Sequence, residues 1–578
     1  MMKTHTKKQR ELRNTLIGWL LVMPSLIFMA AFTVWPVFRS IWLSLTKYKL
    51  GMSAPEFIGL KNYINLAGSS LFWKVMGNTL FFALITIVPS MVVGLFLATL
   101  VNRKSRLIGF VRTSYFYPVV MPMIAIASIW MFIYMAKNGL LDQMLISMGF
   151  QPMNILSSKK TVLPAMAFMY VWKEAGYLMV FFLSGIQSIS TDVNEAARID
   201  GANSWTIFRK ITLPLLAPTF LFVSTIALTN SFKLVDHVVI MTEGAPNNAS
   251  TLLLYYIYQQ GFTNFNYGVS STLTTVMLLL LMVVALPRFL SQDKKIQYNY
   301  RRPYTMQKKH LIGAGITAFS VILGLLWLIP LIWLIGTAFS VPSFHMTLFP
   351  TTAFTLDNIK YVWNAIPFGT YYINTLTLVV CTFAVQFFTS TLAAYALAVL
   401  DFKGQALVFA VIFMQIIIPN DVLITPNFMT LSDLKLIDSK IGMMLPFYGS
   451  AMAIFLLRQH FKSMPKALAE AAKIDGANTW QTIWGVYMPC AKPAYLSFAV
   501  ISVSYHWNNY LWPLIVTNSP TNRTLTVGLA IFAKSKEANM QWANVCAAAF
   551  IIIVPLLLAF LVAQKQFMSS FVSAGIKE

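Results

Sequence analysis

Apolar runs near 20 residues long, separated by short polar segments, dominate this chain. A helix of about 20 apolar residues crosses roughly 30 Å of hydrocarbon, so each run predicts a membrane span. Six fall near residues 16–39, 77–101, 110–136, 162–189, 215–241 and 268–290. Six more fall near 311–339, 372–400, 405–424, 441–461, 493–516 and 542–564. The expected fold is all-α and integral to a membrane, with twelve transmembrane helices. The first run follows Lys3, Lys7, Lys8, Arg10 and Arg13 and continues through Phe32-Thr33-Val34-Trp35. That exceeds a signal-peptide core, so the helix is expected to be retained.

Polar sequence repeats where apolar sequence has diverged. EAARIDGANSWTIFRKITLPLLAP begins at Glu195, and EAAKIDGANTWQTIWGVYMPCAKP begins at Glu470. Eleven of these 24 aligned positions are identical, including both prolines. Each copy lies between the fourth and fifth spans of its half, which predicts two homologous six-helix halves. The expected domains are residues 1–290 and 311–578, joined by the polar linker SQDKKIQYNYRRPYTMQKKH over 291–310.

Each copy reads as a helix-turn-helix elbow, over 192–214 and 465–489. Asp192 stands three residues before Glu195, the spacing of a capping box. Pro465 suits a first helical turn with Ser463 as a cap. Gly201 and Gly476 offer the left-handed conformation that closes a helix, and Asn203 and Asn478 can cap the next one. A role limited to ordering the loop is the alternative. Its stronger retention relative to the spans argues for contact with a partner.

Charge changes the picture only through its distribution. The chain is 57% hydrophobic and 11% charged with a formal net charge of +24, whereas soluble domains carry about 25% charged residues. With the N-terminus inside, Lys and Arg are about twice as abundant on inner segments as on outer ones. This places both termini and the linker in the cytoplasm. A basic inner rim facing anionic lipid accounts for the charge without nucleic acid. Cys381, Cys490 and Cys546 are unclustered and predict neither a metal site nor a disulfide framework. The chain has no G-x-x-x-x-G-K-[ST] phosphate loop and no H-E-x-x-H site, so it is expected to be no enzyme and to hold no cofactor.

The repeated segments resemble the EAA loop of ABC-type importer permeases: E-A-A, three residues, G, nine residues, then I-x-L-P. The first copy matches at Glu195, Ala196, Ala197, Gly201, Ile211, Leu213 and Pro214. The second retains Glu470, Ala471, Ala472, Gly476 and Pro489, with Val486 and Met488 at the aliphatic positions. Asp200-Gly201-Ala202 and Asp475-Gly476-Ala477, each with a Trp following, resemble the carbohydrate-uptake branch. So do TEGAPNNASTLLLYYIYQQGF from Thr242, WNNYLWPLIVTNSPTNRTLTVGLAIF from Trp507 and the tail from Gln564. These resemble maltose-type and glycerol-phosphate-type permeases, whose two membrane subunits are commonly separate chains.

The resemblance implies alternating access, with each elbow acting as a coupling helix. It further implies two ABC ATPase subunits supplied in trans, which hold ATP and Mg, and an external solute-binding protein. The ATPase-coupling residues would be Glu195, Ala196, Ala197, Asp200, Gly201, Glu470, Ala471, Ala472, Asp475 and Gly476. The leading solute is a carbohydrate, an oligosaccharide or related polyol. The second is glycerol 3-phosphate or its diesters.

Polar side chains inside spans mark candidate solute paths. In the fourth span these are Trp172, Lys173, Glu174 and Tyr177; Lys173 and Glu174 point about 100° apart. Asn230, Lys233 and Asp236 recur every three residues, with an intrahelical Lys233–Asp236 pair as the structural alternative. In the second half, Trp507, Asn508, Asn509 and Tyr510 combine aromatic faces with amides, a chemistry that suits sugars; a membrane-interface belt is the alternative. Tyr448, Tyr395 and Gln415 are weaker candidates. A reading of another class is an ion-coupled carrier of six plus six spans. The loop NRKSRLIGF after the second span lacks the pattern expected of one, and the elbows would go unexplained.

Overall fold

A computed structural model describes residues 7–103, 105–291, 310–341, 353–534 and 542–574. Residues 292–309 of the linker and Lys3 lie outside them. Among the described residues the regular elements are helices, apart from one short antiparallel pair, β1 (Thr46–Lys47) with β2 (Glu56–Phe57).

The chain begins with α1 (Lys7–Met29), which passes through one π-turn into α2 (Trp35–Ser44). Helix α3 (Ser70–Val101) is capped by Ser69, whose hydroxyl accepts from Phe72 N–H. The third expected span is two helices, α4 (Ile108–Val120) and α5 (Met123–Ile133), bent by 99°. Then come α6 (Val162–Ser188), the elbow helix α7 (Thr191–Ile199), α8 (Ala217–Phe232), α9 (Asp236–Met241) and α10 (Tyr267–Ser291).

The second half repeats this order. It contains α11 (His310–Ala338), α12 (Phe368–Val399), α13 (Gln405–Ile417) and α14 (Ile424–Asp433). It continues with α15 (Ala451–Lys462), the elbow helix α16 (Lys466–Ile474), α17 (Lys492–Asn508), α18 (Leu511–Val516) and α19 (Trp542–Ala574).

Among the described residues, seven helical stretches are long and apolar enough to cross a membrane, and four bent pairs raise this to at most eleven. The sixth expected span, near 268–290, coincides with α10, whose described apolar stretch Tyr267–Val283 is shorter than a membrane-crossing length. The chain is therefore an integral, multi-pass membrane protein.

The broken third spans depart from the expected continuous helices, and proline explains them. A residue before proline is pushed out of the α region. Met121, before Pro122, has ψ 140°, and Ile418, before Pro419, has ψ 100°. The second break bends α13 from the following segment by 79°.

Paired hydrogen bonds repeat across the two halves. Asn62 Nδ2 donates to the carbonyls of Ser44 and Thr46, and Asn358 Nδ2 to those of Ala338 and Ser340. Asn78 Nδ2 donates to the carbonyls of Asn248 and Thr251, and Asn374 Nδ2 to those of Thr521 and Arg523. Thr79 accepts from Leu253 N–H, and Thr375 from Leu525 N–H. The first pair ties the segment before each second span to the end of each first span, and the other two fasten the start of each second span to the loop before each sixth.

The halves also exchange their first helices. Helix α1 packs on α12 of the other half, where Trp19 Nε1 donates to Lys403 O at 3.1 Å. Reciprocally, α11 packs on α4 of the first half, where Tyr115 and Tyr117 hydroxyls donate to the carbonyls of Ser320 and Trp327. Within the first half, α6 lies so close to α4 that a Cβ on Gly176 would overlap the Tyr115 carbonyl.

Candidate functional site

The two elbows adopt one geometry. Each first helix ends where glycine takes φ +82°, at Gly201 and at Gly476. Space is open around both glycines, so backbone conformation rather than crowding selects the residue. Asn203 Oδ1 then accepts from Thr206 N–H at 2.8 Å, and Asn478 Oδ1 from Gln481 N–H at 2.9 Å.

The starts of the elbow helices differ from expectation. Ser190 is the N-cap of α7, its hydroxyl accepting from Asp192 N–H, so Asp192 lies within the first turn. Pro465 occupies the N-cap position of α16, and Ser463 terminates the preceding helix.

Both elbows present similar surfaces. Glu195, Ala196, Asp200, Glu470, Ala471 and Asp475 are exposed, whereas Ala197 is half-buried and Ala472 buried. Ile199 and Ile474 are each 86% exposed, with Trp205 and Trp480 exposed beside them. Each elbow thus carries a bare aliphatic and a bare indole next to carboxylates, and the Ala-rich face stays shallow.

Away from the elbows, charged side chains gather where the halves meet. Lys173 Nζ donates to the carbonyls of Pro118, Val119 and Met121, at 2.9, 3.2 and 2.7 Å. Asn508 Nδ2, from the other half, donates to the remaining carbonyl, Val120 O, at 3.1 Å. A helix end leaves its last carbonyls without intrahelical donors. At the break between α4 and α5, four successive carbonyls are thus satisfied by one ammonium and one amide.

Glu174, adjacent in sequence, turns elsewhere, and its Oε1 accepts from Asn230 Nδ2 at 2.9 Å. Helix α8 stops at Phe232, and α9 restarts at Asp236. Asn230, Lys233 and Asp236 therefore do not share one helical face, and the intrahelical Lys233–Asp236 pair does not form. The carboxyl groups in the neighbourhood of Lys233 are Asp421 of the second half and Glu174, neither in hydrogen-bond or ion-pair contact with it. Asp421 and Lys173 act on Asp236. Tyr177 neighbours Glu174, and Tyr510 lies near Asp236.

Other expected path residues are packed elsewhere. Trp172 Nε1 donates to Trp327 O, and Trp507 Nε1 to Ile552 O, with both indoles buried. Tyr448 meets Phe28 edge-on at 5.2 Å. Asn509 O accepts from the Thr526 hydroxyl. Gln415 bridges Gly449 O and Ala451 N–H, and Tyr395 is buried against Tyr487.

Asp421 and Tyr505, both beside this junction, escaped the sequence reading. Asn420-Asp421 directly after Pro419 in an apolar run was the available signal.

Residues 90–294 and 310–569 each match the family model described as "Binding-protein-dependent transport system inner membrane component". Among curated relatives, a probable starch degradation products transport system permease protein, AmyD of Thermoanaerobacterium thermosulfurigenes, is 34% identical over 50% of this chain and 99% of its own length. The sn-glycerol-3-phosphate transport system permease protein UgpA of Escherichia coli is 30% identical over 50% of this chain and 97% of its own. UgpE of Yersinia pestis, of the same named system, is 32% identical over 38% of this chain and 80% of its own. With both halves matched separately, the chain belongs to the binding-protein-dependent, ABC-type importer permeases and carries two tandem permease domains as a non-catalytic membrane subunit.

Proposed function

We propose that this chain is the permease of an ATP-driven importer of a neutral carbohydrate, an oligosaccharide or related polyol. It works by alternating access. Two ABC ATPase subunits, carrying ATP and Mg, dock on the elbows from the cytoplasm, and an external solute-binding protein delivers the solute. The exposed Ile199–Trp205 and Ile474–Trp480 pairs supply apolar anchors for docking. Glu195 and Glu470 beside them supply charge for cationic partners.

One observation supports the solute class: the Lys173 ammonium is committed to three backbone carbonyls. Lys233 stands in a neighbourhood that also holds the carboxyls of Asp421 and Glu174. An anionic solute would meet more carboxyl groups than uncommitted ammonium groups there. Carboxylates, amides and tyrosines accept and donate hydrogen bonds to hydroxyl groups, which suits a neutral polyol. The likeness to AmyD points the same way. The likeness to UgpA and UgpE supports the second reading, glycerol 3-phosphate or its diesters.

The test is uptake into proteoliposomes containing this chain with an ATPase and a binding protein of the family. Labelled malto-oligosaccharides and glycerol 3-phosphate are offered in parallel. ATP-dependent oligosaccharide uptake is expected, abolished by Glu195→Ala/Glu470→Ala. Glycerol 3-phosphate uptake would overturn the solute class and leave the transporter class standing. Uptake indifferent to ATP and to the double variant would overturn the coupling role.

A further inference from the structure

Three helix interruptions meet at one side chain, Gln415. Its Nε2 donates to Thr33 Oγ1 at 3.3 Å and to Gly449 O at 3.1 Å, and its Oε1 accepts from Ala451 N–H at 3.0 Å. Thr33 lies in the π-turn Ala30–Val34, which separates α1 from α2. Pro36 explains that turn, because it offers no N–H to the Phe32 carbonyl and its ring crowds it. Gly449 and Ala451 lie where Lys440–Phe447 and α15 are bent by 43°. Gln415 itself stands in the last turn of α13, before the Pro419 break.

Different partners hold the segments on the two sides of this crossing. On one side α1 packs on α12 and α13, and α15 packs on both. Arg458 of α15 ties that group together, its Nε donating to Leu397 O at 3.2 Å and its guanidinium lying over the Phe409 ring. On the other side α2, α10 and α14 pack together. Arg39 Nη1 donates to Asp433 Oδ2 at 2.7 Å and to Thr430 Oγ1 at 3.3 Å. The buried Ser270 and Thr425 hydroxyls are 2.7 Å apart, and Phe262 meets Phe428 edge-on at 5.1 Å. Helix α14 thus belongs to the second half by sequence and is fastened to the first, and α1 is the reverse case.

The equivalent place across the molecule is built otherwise. The 275-residue offset of the elbows puts Lys173 where Tyr448 stands. There α6 runs unbroken over Val162–Ser188, and α11 over His310–Ala338. Of the three equivalent spans only the third is broken, and Lys173 closes that break on the carbonyls of Pro118, Val119 and Met121.

We infer that Gln415 is the pivot of a hinge, across which α2, α10 and α14 move as one body against α1, α12, α13 and α15. A hinge concentrates its backbone change in a few residues at element ends, and here three such ends adjoin. The moving boundary therefore cuts across both halves of the sequence instead of running between them. Gln415 is a positioning residue, and the Lys173 side serves as the rigid counterpart. For what drives the motion, the hinge rests on the alternating access proposed above.

A disulfide distinguishes this hinge from motion of whole halves. Ser270→Cys/Thr425→Cys, in a background with Cys381, Cys490 and Cys546 replaced by Ala, joins the two halves inside one body. The cross-link is expected to form, and ATP-driven uptake by the oxidised protein to stay within about twofold of the reduced protein. Uptake lost on oxidation and restored by reduction would overturn the hinge and leave the importer standing. A disulfide that never forms would overturn the docking of α14 on α10. A second arm needs neither solute nor ATPase. Gln415→Leu should raise amide hydrogen exchange about 10-fold at 30–34 and at 449–451 together, with 118–123 unchanged; Lys173→Met should do the reverse. Exchange that stays unchanged, rises at only one Gln415 partner or spreads to 118–123 would overturn the pivot. Should neither redox state take up solute, the importer reading falls and this arm still decides the pivot.

Discussion

Ser25 Oγ donates to Thr389 O at 2.9 Å, joining residues 364 positions apart and on opposite halves. The first helix of the chain is thus a structural part of the second half. Beside it, a Cβ on Gly18 would lie 2.6 Å from Phe402 Cγ, so α1 sits on the α12–α13 corner without room for a side chain.

That exchange predicts how the halves behave when cut apart. Residues 1–290 and 311–578 expressed together as two chains should co-purify, because each lends a helix to the other. Either half alone should leave a helix-sized apolar groove uncovered and be degraded or aggregate. Tandem-affinity purification with a tag on one half reads the outcome; halves that are equally stable apart would contradict the exchange.

At the elbows, Gly201 and Gly476 have φ +82° and open surroundings. Gly201→Ala should cost about 1 kcal/mol locally, and Gly201→Val more, since β-branching adds to the left-handed penalty. Asn, which tolerates that region, should rescue. The readout is ATPase binding to the purified chain, expected to weaken in the order Asn, Ala, Val.

Lys173 serves the α4–α5 break. Lys173→Met should leave three carbonyls unsatisfied and destabilise the detergent-solubilised protein by about 1–3 kcal/mol per orphaned group at most, with partial relief from water. Lys173→Arg retains donors and should recover much of the loss. A shift in thermal unfolding between the two variants measures this; equal stability of Met and Arg variants would deny the cap.

The loop before the sixth span of the second half turns on Asp438. Its Oδ1 accepts from Asn518 N–H at 3.0 Å and from Ser519 N–H and hydroxyl at 3.1 and 3.0 Å. Partial burial pushes this carboxyl up, but those bonds, with Asn522, outweigh it and hold it below its ordinary value. A carboxylate depressed in the fold stabilises fully above its unfolded value of about 3.9 and loses that contribution as pH falls through the folded value. Proteolysis at 517–524 should therefore be flat from pH 7 to 5 and rise only below about 4. Asp438→Asn should remove that acid step and raise cleavage at neutral pH.

Much of the architecture was legible because membrane burial writes itself into composition. Helix α3 is apolar along nearly its whole length and reads as a span in any context. The elbows were legible for a local reason: a left-handed glycine and an Asn cap act within four residues of themselves. The cap of α7 was misread because Ser190 and Asp192 both qualify, and the backbone geometry at one residue decides between them.

The junction was only half legible. Lys173, Glu174, Lys233 and Asp236 stood out as expensive charges in apolar runs, but their partners did not. Lys173 is satisfied by main-chain carbonyls, which carry no side-chain signature. Lys233 shares its neighbourhood with an aspartate 188 positions later, in a run that hydropathy alone counts as one continuous span. The breaks themselves were hidden because Pro122 and Pro419 are tolerated in some spanning helices and interrupt others.

The sequence by itself determined the membrane class, the duplicated halves and the two elbows, because apolar length, internal identity and glycine conformation are local properties of the chain. Tertiary structure alone decided which half each first helix joins, where the third spans break and which groups satisfy the buried charges. Those outcomes depend on carbonyls and helix surfaces from distant segments, and only packing brings such groups within hydrogen-bond reach.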